Sequence, residues 1–550
     1  MAAKHTRNGI VIFSGGSAAN SLVDVFNSLV EGTDSTLSYI IPISDNGGSS
    51  SELIRVFGGP GIGDVRSRLI RLIPSPSPIQ SLLNHRLPPS SISARNEWIT
   101  IVDGTSPLWQ PIAPSTKELI RPFLNLLNLE LIKRARPSST FDFSSASIGN
   151  MFLTGARLFT GSFESAIALL GMIGGVHEQI KVIPAINANW TCHIAAGLMD
   201  GSVIVGQNNI SHPSAPTALP DSSEDQNHPI TPSSTHPHSL PFPQRRRQPS
   251  LSITESDRIE DAYAPGTLPT LRRPQIGFSK TSEQPLPVPI ARIWYINPYG
   301  SEIHPAPNPA VVDALGDART VIYSIGSLYT SLIPGLILRG VGNLIAGDEE
   351  QPPKSKSAPL SSFPSASVDG EDLTNGKPTS PSQSTRTSEI KVKILILNGT
   401  LDRETGLGLP SPQQMSAADF VLAVVRAGEE SQGRFDSLPP HPTLPSQADP
   451  SPSSSEPESD TEPHPLQLQM QSQFKALVRK YITHIIYLDN KDNTEEFMAP
   501  RVDRNLLQIW GVECVRCFGR GGRYDPGALK GAIGAILGGR DRGKRRNTES

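Results

Sequence analysis

Two aspartates and an arginine near the N-terminus are the residue types that handle phosphate. Asp45 opens the run Asp45-Asn46-Gly47-Gly48-Ser49-Ser50, and Asp64 and Arg66 close the run Gly61-Ile62-Gly63-Asp64-Val65-Arg66. A carboxylate can hold Mg2+, which takes one or two carboxylates together with substrate phosphates, or serve as a base toward a hydroxyl. A guanidinium clamps phosphate through two parallel N–H bonds. Asp45 is the metal or ribose candidate, and Asp45 and Asp64 are the two catalytic candidates. Each has a plainer reading: Asp45 as a turn or capping aspartate, Asp64 at the position where a helix N-cap belongs, and Arg66 as a solvated helix charge. Upstream, Ser14-Gly15-Gly16-Ser17-Ala18-Ala19-Asn20 offers the backbone N–H groups of Gly15, Gly16 and Ser17, plus one hydroxyl, to a diphosphate. Such a turn at a helix start leaves N–H groups free where the helix dipole favours an anion.

These residues need elements to position them. Gly9–Phe13 is a short β-branched run that predicts a strand, and Leu22, Val23, Val25, Phe26, Leu29 and Val30 recur at helical spacing. A second strand is expected over residues 39–43 and a helix over 65–73. Two polar, glycine-bearing strand ends so close together suggest one crevice at the carboxyl edge of a parallel sheet. Two later turns repeat the pattern. Gly326-Ser327-Leu328-Tyr329-Thr330 follows a strand expected at 320–324, and Asn398-Gly399-Thr400 through Glu404-Thr405-Gly406 follows one expected at 391–397. Ser327, Tyr329 and Thr330 would line the crevice, with Tyr329 either stacking on a ligand or packing in the core. Glu404 and Thr405 would close the far side. Asn150 opens a helix after a small-residue loop and could read a base or sugar. Asn20, Asn46, Gly47, Gly48, Ser49, Gly326 and Asn398 complete the expected binding set.

Other strands are expected at 182–185, 194–196, 202–207, Ile290–Ile296, His484–Leu488 and 514–518. Helices are expected at 123–132 (started by Pro122), 151–159, 166–173, 311–315, 416–427, 474–481 and 527–537. Strands alternating with helices predict a doubly wound, mostly parallel α/β sheet.

Composition sets the organisation. The 550 residues include 52 prolines, and the Pro/Ser-rich stretches concentrate in three places. Residues 211–289, 349–389 and 429–466 hold too few large apolar side chains to offset ordering entropy and are expected to be disordered inserts. They interrupt an α/β unit made of 8–210, 290–348, 390–428 and 467–538, before a basic tail at 539–550. That leaves roughly 350–400 ordered residues. The net charge of −3 gives no electrostatic case for nucleic acid or an anionic membrane. Three cysteines, Cys192, Cys514 and Cys517, make no disulfide framework and fit a reducing, cytoplasmic setting. The lone Cys-x-x-Cys lacks a second ligand pair. The N-terminal apolar run is too short for a signal peptide, and the apolar stretch at 321–345 is too interrupted to span a membrane. The run Arg245-Arg246-Arg247 before Ser250 suits a basophilic kinase as well as a solvated linker, and the basic tail suits a nuclear address as well as solubility.

Seven stretches in order resemble the CofD/YvcK superfamily: residues 14–21, 45–50, 61–66, 147–153, 326–334, 398–406 and 523–526. The resemblance implies a Rossmann-like fold, a phosphorylated nucleotide ligand and Mg2+, and the long inserts suggest a eukaryotic, fungal-type member. The wording of 45–50, 63–66 and 327–331 is closer to the YvcK branch, the "gluconeogenesis factor" proteins that bind nucleotide sugars. The alternative is a CofD-type 2-phospho-L-lactate transferase, Mg2+-dependent and releasing a nucleoside monophosphate. A third reading is a scaffold with a vestigial site. A homodimer, and protein partners or kinases acting on the inserts, are compatible with all three. The sequence departs from the family at Ser14, where glycine is usual, at Asn46 in place of a second aspartate, and at Ser324-Ile325-Gly326 in place of Gly-Pro-Gly.

Overall fold

A computed structural model describes residues 8–16, 18–136, 140–211, 285–297, 299–348, 390–410, 413–434, 465–489 and 498–538. The chain starts in β1 (Gly9–Phe13), moves outward through β2 (Leu37–Ile41) and β3 (Ile180–Pro184), and then builds β4 (His193–Leu198), β5 (Val203–Val205), β6 (Ile290–Ile296) and β7 (Glu302–Ile303). It returns to the other side of β1 with β8 (Ala318–Tyr323) and continues outward through β9 (Val392–Ile396), β10 (His484–Leu488) and β11 (Glu513–Cys517). The main sheet has the order β11-β10-β9-β8-β1-β2-β3, with every pairing parallel. The doubly wound α/β reading therefore holds. β1, β2 and β9 are buried along their whole length, as expected for strands covered by helices on both faces.

The direction of winding reverses between β1 and β8. The register pairs Phe13 with Tyr323, so the loops that follow these two strands leave the same edge side by side. A ligand crevice opens at such a reversal because the neighbouring loops diverge. A second, antiparallel sheet of order β5-β4-β6-β7 sits in the chain between β3 and β8. Its Tyr295 hydroxyl donates to the Pro334 carbonyl at 3.0 Å, which ties it to the segment after β8.

Several local expectations need correction. The helix after β1 is two short pieces, a 3-10 turn at Ala18–Leu22 and an α-helix at Val23–Asn27, and it stops short of Val30. The Ser28 and Thr33 hydroxyls bond the Val25 and Val30 carbonyls, offering the backbone an alternative to further helix. Pro122 lies inside the helix Pro114–Arg134, and Pro114 occupies its start. The carbonyl that Pro122 leaves without a donor belongs to exposed Glu118, where water can serve it. The strand expected at 202–207 is only Val203–Val205, because Gly206, at φ 92°, turns the chain into the helix Gln207–Ser211.

Cys514 and Cys517 are three apart on β11, so they point to opposite faces. Among the described residues no group of three His, Cys, Asp or Glu could hold a metal, and no helix is long and apolar enough to cross a membrane. The expected inserts fall mostly outside the described residues, as do Ser17, the arginine run at 245–247 and the tail at 539–550.

Candidate functional site

The crevice floor is built by glycines that let three segments touch. A Cβ at Gly15 would lie 2.3 Å from the Ser331 hydroxyl oxygen, and one at Gly16 would lie 2.2 Å from Asp64 Oδ1 and 2.8 Å from its Cα. The turn after β1 is thereby pressed against both the turn after β8 and the start of the helix Gly63–Leu72. The Gly16 N–H donates to the Asp64 carboxylate. Gly16→Ala is expected to displace Asp64 and to abolish whatever phosphorylated-nucleotide binding the wild type shows, with the chain still folded. Isothermal titration beside a circular-dichroism melt checks this, and unchanged affinity would remove Gly16 from the site.

Asp45 sits at the end of β2. Its Oδ1 accepts the Gly47 N–H at 3.2 Å and its Oδ2 accepts the Ser50 hydroxyl at 3.1 Å. Gly61 and Gly63 must be glycines here, because a Cβ would lie 2.1 Å from the Asp45 carbonyl oxygen or 2.3 Å from its Oδ2. The same packing brings Asp45 and Asp64 together. Both keep partial solvent access, yet lie deep enough that burial is the largest influence on each carboxyl. Burial raises Asp45 against the pull of the Gly47 N–H, the Ser50 hydroxyl, Arg66 and Arg86. For Asp64, burial and then the Asp45 charge push the carboxyl up to about 7, against Arg68, the Gly16 N–H and Arg66. Burial and the neighbouring Arg86 pull Arg66 down to about 10.

Asp64 is not an N-cap. The cap position is Ile62, with no side-chain bond, and Asp64 stands in the first turn facing Gly16. The helix starts earlier than expected because Gly63 tucks against Asp45.

Two half-compensated carboxylates, all oxygen in their donor atoms, fit Mg2+, which completes its shell with phosphate and water. Asp45 and Asp64 are the residues that would hold it, and a cation there would relieve the repulsion that raises Asp64.

Buried polar atoms without a protein partner cluster at the same edge. They are the hydroxyls of Ser44, Ser147 and Ser324, Arg66 Nε, Asn150 Oδ1 and Asn208 Nδ2. Folded proteins keep few such atoms, and they persist where water or a ligand completes them. Asn150 is held in place by donating to the Ser49 hydroxyl at 2.9 Å. Gly47, Gly48 and Ser49 stay half-buried beside it, and so does Ser327 after β8.

Other expected site residues spend their polar atoms inside the protein. Asn20 donates to the Ser67 hydroxyl at 2.7 Å and staples the 3-10 turn to the helix Gly63–Leu72. Asn46 accepts the Asn208 N–H at 2.9 Å. Asn398 and Gly326 exchange two bonds, 3.0 Å and 2.9 Å long. Glu404 accepts the N–H groups of Tyr329 and Thr330 at 2.8 Å and 3.0 Å and the Thr330 hydroxyl at 2.5 Å. Burial and then Asp402 push Glu404 up to about 8. Thr405 forms a capping box with Asp402. These groups shape the wall. Of the two readings of Tyr329 the structure favours packing: its ring is buried, its hydroxyl donates to the Ile290 carbonyl at 3.3 Å, and it lines a cavity behind the turn.

That cavity, about 870 Å³, also borders Arg292, Met415 and Arg426 and is separate from the crevice. We place the chemistry in the crevice. Arg292 in the cavity is already paired with Glu302 and Glu430, and Asp419 with Ser416, while the crevice holds the perturbed carboxylates and the unpartnered atoms.

Sequence reasoning missed Arg68. It is fully buried, donates to the carbonyls of Ala19 and Gly15 and to the Ser14 hydroxyl, and stacks over Tyr39 at 4.6 Å. Ser14, the departure from the family glycine, thus turns its side chain beneath the turn toward Arg68. The signal was present: Val65, Arg68, Leu69 and Leu72 share one buried helical face at spacings of three, four and seven.

A family model described as "2-phospho-L-lactate transferase CofD" matches residues 10–353. The uncharacterized protein YNL011C of Saccharomyces cerevisiae is 44% identical over 339 residues, 61% of this chain and 74% of the yeast protein. Two crystal structures of BH3568 from Bacillus halodurans, one described as a member of the UPF0052 family, are 15% identical to this chain. Each covers 96% of this chain and 99% of its own, with a TM-score of 0.48.

Proposed function

This chain belongs to the CofD family, and from that premise we propose that its crevice binds a phosphorylated nucleotide, a nucleotide sugar by preference. The observation that carries the reading is the Asp45–Asp64 pair, packed together by Gly16, Gly61 and Gly63 where the winding of the sheet reverses. The Gly15 backbone and Arg66 receive the diphosphate, since the Gly16 N–H already serves Asp64. Mg2+, when bound, neutralises the phosphate charge beside the two aspartates. Asn150 and its neighbours meet the part of the ligand beyond the phosphates. Saturating ligand stabilises a fold that alone binds it, by about 2.7 kcal/mol at a hundred times Kd. A thermal-shift panel of UDP-glucose, UDP-N-acetylglucosamine and GDP-mannose, with and without Mg2+, is expected to show stabilisation that Mg2+ enhances. No shift with any of them overturns the reading.

One observation favours a second reading, transfer. A carboxyl at about 7 suits a general base at neutral pH. An acceptor hydroxyl would attack the β-phosphorus of a nucleoside diphosphoryl-lactate and pass its proton to Asp64, and in this reading Asp45 alone would hold Mg2+. The bond from that phosphorus to the oxygen bridging the α-phosphate would break, and the nucleoside monophosphate would leave. Mg2+-dependent release of the monophosphate from such a donor distinguishes transfer from binding alone.

A further inference from the structure

We infer that Asn208 determines specificity in this crevice, as a donor to the sugar or base of the nucleotide; the inference rests on the crevice reading above. The helix Gln207–Ser211 that carries it is held against the 45–50 loop on one side and against Arg403 on the other. Asn46 Oδ1 accepts the Asn208 N–H at 2.9 Å, and Arg403 Nε donates to the Ile210 carbonyl at 2.9 Å. Gly47 approaches so closely that a Cβ there would lie 3.1 Å from Asn208 Oδ1. Asn208 is 2% exposed, and its Nδ2 has no partner. Nothing in the packing needs an amide at this position, since the tie to Asn46 uses the Asn208 backbone.

Asn150 stands on the other flank of the same loop, also 2% exposed, with Oδ1 unpartnered. The 45–50 loop therefore carries a buried donor on one side and a buried acceptor on the other. A phosphate needs donors and cations, which the Gly15 backbone and Arg66 supply. A donor with an acceptor suits a group that both accepts and donates: ring hydroxyls or the edge of a base. A site built to bond such groups rejects ligands that lack them, because its buried atoms are then left unpaired.

Asn208→Leu keeps the side-chain shape and the backbone bond to Asn46, and Asn208→Ala removes the amide without adding bulk. Titration calorimetry would use the nucleotide sugar that shifts the wild type most, beside Mg2+-pyrophosphate as a probe of the phosphate end. Both variants are expected to lose about tenfold or more in affinity for the nucleotide sugar. Their affinity for Mg2+-pyrophosphate and their ligand-free melting temperatures stay at wild-type values. Unchanged nucleotide-sugar affinity, or equal weakening of both probes, overturns the inference and leaves the crevice reading standing. A wild type that binds pyrophosphate but none of the nucleotide sugars overturns the crevice reading itself, and this inference with it.

Discussion

Asp64→Asn is expected to raise the melting temperature above neutral pH while weakening the nucleotide binding proposed for the crevice. The unfolded chain releases the Asp64 proton near the ordinary value of 3.8, whereas the folded chain holds it to about 7. Between those values the folded state binds more protons than the unfolded state, so stability falls as pH rises through the window. Above about 7 the full penalty is present, and below about 4 it vanishes. Asparagine removes the charge and still accepts the Gly16 N–H. After allowing for partial solvent access and the coupling to Asp45, the gain is about 1–3 kcal/mol at pH 8. The advantage should therefore appear only as pH climbs from 4 to 7 and then level off. Melting curves of both proteins across pH 4–9 check it, and a difference that does not change with pH sinks the argument. Glu404, held near 8 by the same causes, is common to both proteins and cancels. A stabilising change that removes a ligand contact is the usual trade at a site whose charges are held together for binding.

Arg68→Ala has the largest expected cost to stability. The guanidinium is fully buried and serves the Ala19 and Gly15 carbonyls and the Ser14 hydroxyl beneath the first turn, while covering Tyr39. Removing it leaves those acceptors unpaired and a hole against the ring, at a cost of about 3–5 kcal/mol. Arg68→Lys keeps the charge but not the planar fork that reaches three acceptors, so it should recover less than half of the loss. Urea unfolding measures both. A change under about 1 kcal/mol for alanine would mean the turn is held by other contacts. Because the same arginine holds the Gly15 carbonyl, the variants that fold are also expected to bind nucleotide more weakly.

The elements and the loops were legible because their signals are local. The β-branched run at Gly9–Phe13, the apolar run at Val392–Ile396 and the glycine turns that follow them act through residues a few positions apart. Periods of 2 and 3.6 can be read from any one stretch. The residue types of the site were legible for the same reason, and Asp45, Asp64, Arg66, Asn150 and the paired glycines do meet at one edge. The roles were harder to read. Asn46 looked like a weakened ligand, but its partner is Asn208, 162 positions away. Tyr329 could be read as stacking on a ligand or packing in the core, and burial of its ring with the hydroxyl on the Ile290 carbonyl favours packing. Glu404 looked like the far lip of the crevice, but it anchors the turn at Tyr329 and Thr330, 75 and 74 positions away.

What the sequence determined by itself, then, is the strands of the main sheet, the polar glycine turns at their ends and the family. Only the tertiary structure decided the strand order that puts β1 beside β8. It also decided that Arg68 is fully buried, how far Asp64 is pushed toward neutrality, and that a helix after β5 packs against the 45–50 loop. The physical reason is range. Local pattern sets what each segment becomes, whereas burial, repulsion and hydrogen bonding depend on which distant segments pack together.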